Sequence, residues 1–222
     1  MRLVCISDTH YYPVGQTIPD GDILIHAGDL TKTGTYLQIA KAGAWIGSLP
    51  HKHKIVVAGN HDKLFEKDYN LARLALGDGH NGIQYLQDQV AVIKGLVFYG
   101  APWSVEYHGW AFGNTPGTYE SRSRWEKIPM GVDVLITHGP AKGILDKAPN
   151  GFPLGDSDLS LTIERAQPRI HVHGHIHHSY GMAQVGKTLR VNAALCDEAY
   201  VHMNKPIVLD VKKSGIVRVG NG

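Results

Sequence analysis

Cysteine is scarce in this sequence: Cys5 and Cys196 are the only two among 222 residues. They form no CxxC pair, so the chain offers neither a disulfide framework nor a thiolate cage for structural zinc. A reducing compartment suits that scarcity, and the cytoplasm is the expected location. Long hydrophobic runs are missing as well. The apolar run after Met1 and Arg2 stops at Ser7-Asp8, too short for a signal peptide or a membrane span, so no membrane partner is expected. Charge of one sign is lacking too: 22 Lys and Arg against 20 Asp and Glu leave a net +2 with histidine neutral. Without a dense basic run, nucleic acid is not the expected partner. Repeats, low-complexity tracts and linkers are equally absent, which makes one domain spanning 1–222 the simplest organisation.

Present instead are 14 histidines, spread along the chain rather than clustered as in a purification tag. Continuous apolar, β-branched runs predict strands at Leu3–Ile6, Ile23–Ala27, Lys54–Ala58, Val90–Ile93, Leu96–Tyr99, Asp133–Thr137, Ile170–His173, Thr188–Asn192, Pro206–Val211 and Ile216–Val219. Runs without alternation indicate strands covered on both faces. Helices are predicted over 35–48, 63–76 and 156–166, bounded by Gly34 and Pro50, by Gly77 and by Pro168, with Ser157 as the candidate cap of the third. The segment from Pro102 to Met130 reads as a long loop with one short helix near Ser121–Glu126, and loops of that length are more often functional than idle. Strands and helices alternate early and strands dominate late, the pattern of a layered α/β or α+β sandwich with helices outside.

Ligand-type residues follow five of these strands. They are Asp8-Thr9-His10, Gly28-Asp29, Gly59-Asn60-His61-Asp62, Thr137-His138-Gly139-Pro140 and Gly174-His175-Ile176-His177. Each motif alone is weak, since Gly-Asp and His-Gly-Pro are ordinary turns. Their order is the informative part, because the carboxyl ends of strands in α/β sheets line one crevice. Asp, Asn and His make a mixed oxygen and nitrogen donor set. That set suits Mn, Fe, Co or Zn better than an all-oxygen magnesium or calcium site.

In order and spacing the five motifs resemble those of the calcineurin-like metallophosphoesterases, DxH, GDxx(D/E), GNH(D/E), H and GHxH. The resemblance runs from Leu3 to about Asp210. A closer likeness, to the small MPPED class, is carried by the run from Gly21 to Asp29, by Tyr99-Gly100-Ala101-Pro102-Trp103, by the run from Asp133 to Pro140, and by Val191-Asn192-Ala193. This resemblance implies a four-layer α/β/β/α sandwich of two mixed sheets flanked by helices, with a dinuclear metal site at the carboxyl ends of the strands. It implies that Asp8, His10 and His177 hold one metal, that Asn60, His138 and His175 hold the other, and that Asp29 bridges the two. Two divalent transition-metal ions follow, manganese first, with Fe, Zn, Co or Ni as alternatives. The implied reaction is hydrolysis of a phosphate ester by a metal-bridging hydroxide. His61 would protonate the leaving group, and Asp62 would orient His61. One position departs from the pattern: the acid that closes GDxx(D/E) is replaced by Lys32.

The implied partner is a small phosphate ester. A phosphodiesterase acting on a cyclic nucleotide or related diester stands first, and a phosphomonoesterase acting on a nucleotide or phosphoprotein second. A non-catalytic nucleotide-binding module on the same fold is the alternative from a different class. Asn60 and His61 are also expected to meet substrate, and Trp103 in the long loop either stacks on a base or closes a small loop core with Trp110. Trp110, His108 and Asn114 in that loop, Asn192, and the histidines at 26, 51, 53, 171, 173 and 178 are read as core, surface or supporting residues. The sequence does not fix the oligomeric state.

Overall fold

The computed structural model describes residues 1–10, 17–212 and 217–219. In chain order, β1 (Arg2–Ile6), β2 (Ile23–Ala27), helix α1 (Tyr36–Ser48) and β3 (His53–Val57) lead to the short helices α2 (Leu64–Lys67) and α3 (Tyr69–Leu76). Next come β4 (Ile83–Tyr85), β5 (Gln89–Ile93), β6 (Leu96–Ala101), a ribbon of β7 (Ser104–Val105) and β8 (Gly113–Asn114), and helix α4 (Tyr119–Glu126). Then follow β9 (Val134–Thr137), α5 (Ser157–Ala166), β10 (Ile170–His173), β11 (Gly181–Val185), β12 (Thr188–Asn192), β13 (Ile207–Val211) and β14 (Val217–Val219).

Two six-stranded mixed sheets result. In the first, β1, β2, β3 and β4 are parallel neighbours, and antiparallel β13 and β14 extend the β1 edge. In the second, β12, β10, β9 and β6 are parallel, and antiparallel β11 and β5 close the two edges. Alternate residues of each strand explain the layering. Leu3, Cys5, Ile23, Ile25, Ile55 and Val57 of the first sheet pack with Phe98, Val134, Ile136, Ile170, Val172 and Val191 of the second in one buried inter-sheet core. The intervening Val4, Ile6, Leu24 and Val56 face Ile39 and Ile46 of α1 and Ala72 and Leu76 of α3. On the far side, Tyr99 and Leu135 meet Trp125 of α4 and Leu159 and Ile163 of α5. The expected four-layer α/β/β/α sandwich is therefore the fold, and burial on both faces explains why its strands read as continuous apolar runs.

Local differences from the sequence reading have local causes. The helix expected over 63–76 is two helices, because Asp68 leaves helical conformation (φ −147°) and its side chain caps the N–H of Leu71. Asp156, not Ser157, caps α5 by accepting from the N–H groups of Asp158 and Leu159. The segment 102–130 carries β7, β8 and the whole of α4. Besides β7 and β8, two strands carry no apolar run and were not expected: three-residue β4, and β11, an exposed edge. The last strand begins at Val217, and the expected residue Ile216 lies outside the described residues. Among the described residues no helix is long and apolar enough to cross a membrane.

Candidate metal centre

The parallel strands of both sheets point their carboxyl ends to the same edge of the sandwich. The first sheet delivers Asp8 and His10 after β1, Asp29 after β2, and Asn60, His61 and Asp62 after β3; the second delivers His138 after β9 and His175 and His177 after β10. Backbone bonds lock these turns together. The N–H of Asp8 donates to the Gly28 carbonyl, that of His10 to the Asp29 carbonyl, and that of Gly174 to the His138 carbonyl. Asp8, His10, Asp29 and His175 sit at φ of 52°, 45°, 53° and 67°, a region that residues other than glycine seldom adopt. Two glycines make room at the centre. A methyl group on Gly59 would collide with Asp29, and one on Gly174 with the carboxylate of Asp8 and the hydroxyl of Ser7.

The ligand atoms fall into three overlapping clusters: Asp8 with His10 and His177, His10 with Asp29 and His61, and Asp29 with His138 and His175. Asp29 Oδ2 lies 3.4 Å from His138 Nε2, 3.8 Å from His61 Nε2 and 3.9 Å from His10 Nε2. His177 Nε2 lies 3.3 Å from both Asp8 Oδ1 and His10 Nε2, and Asn60 Oδ1 lies 2.8 Å from His138 Nε2. All seven expected ligands thus surround one small volume. For His138 and His177 the second ring nitrogen shows why Nε2 is the inward atom. His138 Nδ1–H donates to the Ala27 carbonyl and His177 Nδ1–H to the Asp197 carbonyl, the arrangement that fixes ring orientation in metal-ligating histidines. This donor set, converging on its acceptor atoms with two of its rings anchored from behind, fits two divalent cations.

Charge points the same way. Burial alone would raise Asp8, yet its bond to His177 and the nearby His138 and His10 hold it well below the usual carboxylate range. Asp29 is likewise held low against burial, chiefly by His138. Burial opposes charge on His138 and His177 as well, but Asp29 lifts His138 to about 9 and Asp8 lifts His177 to about 9. Burial brings His10 and His175 down to about 4. Two buried, ionised carboxylates therefore draw positive charge onto this spot.

Several expected roles fall differently. Asp62 does not orient the His61 ring. Its carboxylate accepts from the N–H groups of Leu30, Thr31 and Gly59 and from the Thr31 hydroxyl, tying the loop after β2 to the loop after β3. The His61 ring is instead held through Nδ1–H to the carbonyl of Lys32 at 2.8 Å. That bond uses the main chain, so the departure from an acid at position 32 leaves it intact. Trp103 is not brought to the centre. Its indole N–H donates to Asp88, Arg124 lies 4.0 Å over its ring, and Phe112 packs edge-on. Trp110 is the tryptophan at the site, 4.3 Å from the His61 ring. Of the residues read as supporting, His171 bonds Thr137 and Arg190, His26 bonds the Thr9 hydroxyl, and Asn192 donates to the Ile176 carbonyl within the last motif. Above the centre, Tyr107 and Tyr200 line a cleft of about 290 Å³ with Asp29, Asn60 and His61. No periodicity or motif in the sequence marks either tyrosine.

Residues 1–179 match the family model of the calcineurin-like phosphoesterases, and the chain belongs to that family of metal-dependent phosphoesterases. Its relatives narrow the placement. It is 40% identical over 232 residues to metallophosphoesterase domain-containing protein 1 of Homo sapiens, covering 95% of this chain and 71% of that protein. A UPF0046 protein of Caenorhabditis elegans is 40% identical over 230 residues, 95% of this chain and 81% of the relative. Among solved structures, TT1561 of Thermus thermophilus shares the fold at a TM-score of 0.65 and 12% identity, and an archaeal phosphodiesterase at 0.54 and 15%; each alignment covers 99% of this chain and 98% of the other.

Proposed function

We propose that this chain acts as one domain, a metal-dependent phosphodiesterase for a small diester such as a cyclic nucleotide. In this reading Asp8, His10 and His177 hold one dication, Asn60, His138 and His175 the other, and Asp29 both. The observation that carries it is the position of Asp29, whose Oδ2 is faced by three imidazoles and which belongs to two of the three ligand clusters. Manganese is the ion we assign, on the mixed nitrogen and oxygen donors. Two bound dications supply Lewis-acid chemistry, lowering the pKa of a water and neutralising charge on the phosphate oxygens.

The remaining work belongs to the chain. With Nδ1–H committed to the Lys32 carbonyl, His61 turns Nε2 toward Asp29 Oδ2. A proton on that nitrogen is placed to pass to the leaving oxygen. Asp29 Oδ1 accepts the backbone N–H of His61 at 2.9 Å, which keeps the proton donor in register with the shared carboxylate. Asp62 holds the Leu30–Thr31 loop against Gly59 and so fixes the turn that presents Asn60 and His61. The free, buried thiols of Cys5 and Cys196 suit the cytoplasm, where we place the enzyme.

The test compares bis-p-nitrophenyl phosphate with p-nitrophenyl phosphate on manganese-loaded protein. Diester turnover is expected to exceed monoester turnover, and both to vanish on chelation. His61→Ala is expected to lower the rate by about 100-fold and to steepen its dependence on leaving-group pKa. Comparable turnover of the two substrates would move the assignment to a phosphomonoesterase. Purified protein that takes up no transition metal would sink the reading entirely.

A further inference from the structure

The cleft above the candidate centre has an aromatic wall that the five motifs do not account for. Tyr200 stands at its mouth, 46% exposed, with its ring edge-on to His10 at 4.7 Å, His177 at 5.7 Å and His61 at 6.0 Å. Tyr107, 58% exposed, lines the same cleft with Pro149, Leu154 and Ile176.

The backbone holds Tyr200 in this place. It adopts φ 60°, a conformation that costs a bulky residue free energy and persists only where the surroundings impose it. Asp197 imposes it. Its carboxylate accepts the N–H groups of Ala199 and Val201, and its carbonyl accepts that of Tyr200. The same carbonyl accepts from His177 Nδ1. One turn therefore aims both a candidate ligand and an exposed aromatic ring over the centre.

The charge of the cleft limits what the ring can meet. Among the described residues that line it there is no lysine or arginine, and the Glu198 carboxylate, 3.1 Å from the His178 ring, stands at the lip. A second phosphate would meet that carboxylate with no fixed cation to offset it. A flat, uncharged ring would meet aromatic faces and aliphatic carbon, against which it gains stacking and desolvation.

We propose that Tyr200 and Tyr107 form a jaw that stacks on a flat, uncharged aromatic group of the substrate, an aryl ring or a nucleobase, and that Tyr200 sets the preference for such esters. The proposal rests on the phosphoesterase reading above. Stacking accepts any planar base, so the jaw selects an aromatic group without selecting its identity.

Phenylphosphonate and methylphosphonate test it, because they share the group that would meet the metals and differ only in the ring. Each is titrated calorimetrically into the manganese-loaded full chain, and metal content is measured for every variant. The wild type is expected to bind phenylphosphonate about 10-fold more tightly. Tyr200→Ala should remove most of that preference and Tyr200→Phe should keep it. Should Tyr200→Ala lose metal through the shared turn, Tyr107→Ala, on the wall away from the candidate ligands, decides the matter by the same ratio. Equal affinity of the wild type for the two phosphonates, or a preference that survives both alanine variants, overturns the jaw while leaving the phosphoesterase reading standing. Failure of both phosphonates to bind metal-loaded wild type overturns that reading and the jaw with it.

Discussion

His138 and His177 are lifted to about 9 by Asp29 and Asp8, so at pH 7.5 both rings carry a proton in the metal-free protein. A ligating imidazole must be neutral, so metal uptake has to expel those protons. His10 and His175, at about 4, are already neutral there and contribute none. Calorimetric titration of manganese at pH 7.5 in buffers of different ionisation enthalpy is therefore expected to show release of about two protons from these rings. The release should fade as pH rises through 9, where both rings lose their protons beforehand. A binding enthalpy independent of buffer at pH 7.5 would refute the charge assignment. At this scale the sequence was informative where chemistry narrows the residue type: the Asp, Asn and His side chains after the strands do converge. It assigned Asp62 to the His61 ring, because the actual partners Leu30 and Thr31 lie some thirty residues earlier, and it was silent on Tyr200, whose place depends on a single Asp197 turn.

Helix starts differ in how much depends on them. Asp68 caps α3 at an exposed position with one bond to Leu71, and Asp68→Ala is expected to cost about 1 kcal/mol. Asp156 caps α5 while buried, and its second oxygen accepts the side-chain N–H groups of Asn114 and Trp125. Removing it strands two buried donors, and Asp156→Ala is expected to cost roughly 3 to 5 kcal/mol. Urea denaturation of the two variants checks the ranking; equal losses would show that the polar group under α4 adds nothing beyond an ordinary cap. Elements that bury both faces, such as β1, β2, β3, β9 and β10, were legible because continuous burial writes a continuous apolar run. Exposed β11 has no such run, and β7 with β8 is held by a few backbone bonds across a loop, which composition does not encode. The break between α2 and α3 was missed because apolar spacing carries on across Asp68 while its side chain bonds forward to the N–H of Leu71 and starts a new helix.

Across the whole molecule, neither sheet owns the candidate centre. Asp8, His10, Asp29 and Asn60 come from the first sheet, and His138, His175 and His177 from the second. Any ion bound to this set favours the folded state by mass action, by about 2.7 kcal/mol per site at a hundredfold excess over its dissociation constant. For a chain of this length, thermal scans with and without chelator are expected to differ by roughly 5–10 °C or more. A melting temperature indifferent to chelation would mean that the cluster binds no ion of consequence. The two sheets also meet through the apolar layer of Leu3, Ile25, Val57, Ile136 and Val172 and through bonds at the centre's edge, His138 Nδ1–H to the Ala27 carbonyl and the N–H of His175 to Asp8. Ions bound between the two edges would act as rivets on that seam. Reactive chemistry and mechanical alignment of the sandwich would then share the same few atoms, so a change that empties the centre is expected to weaken the join between the halves as well as stop turnover.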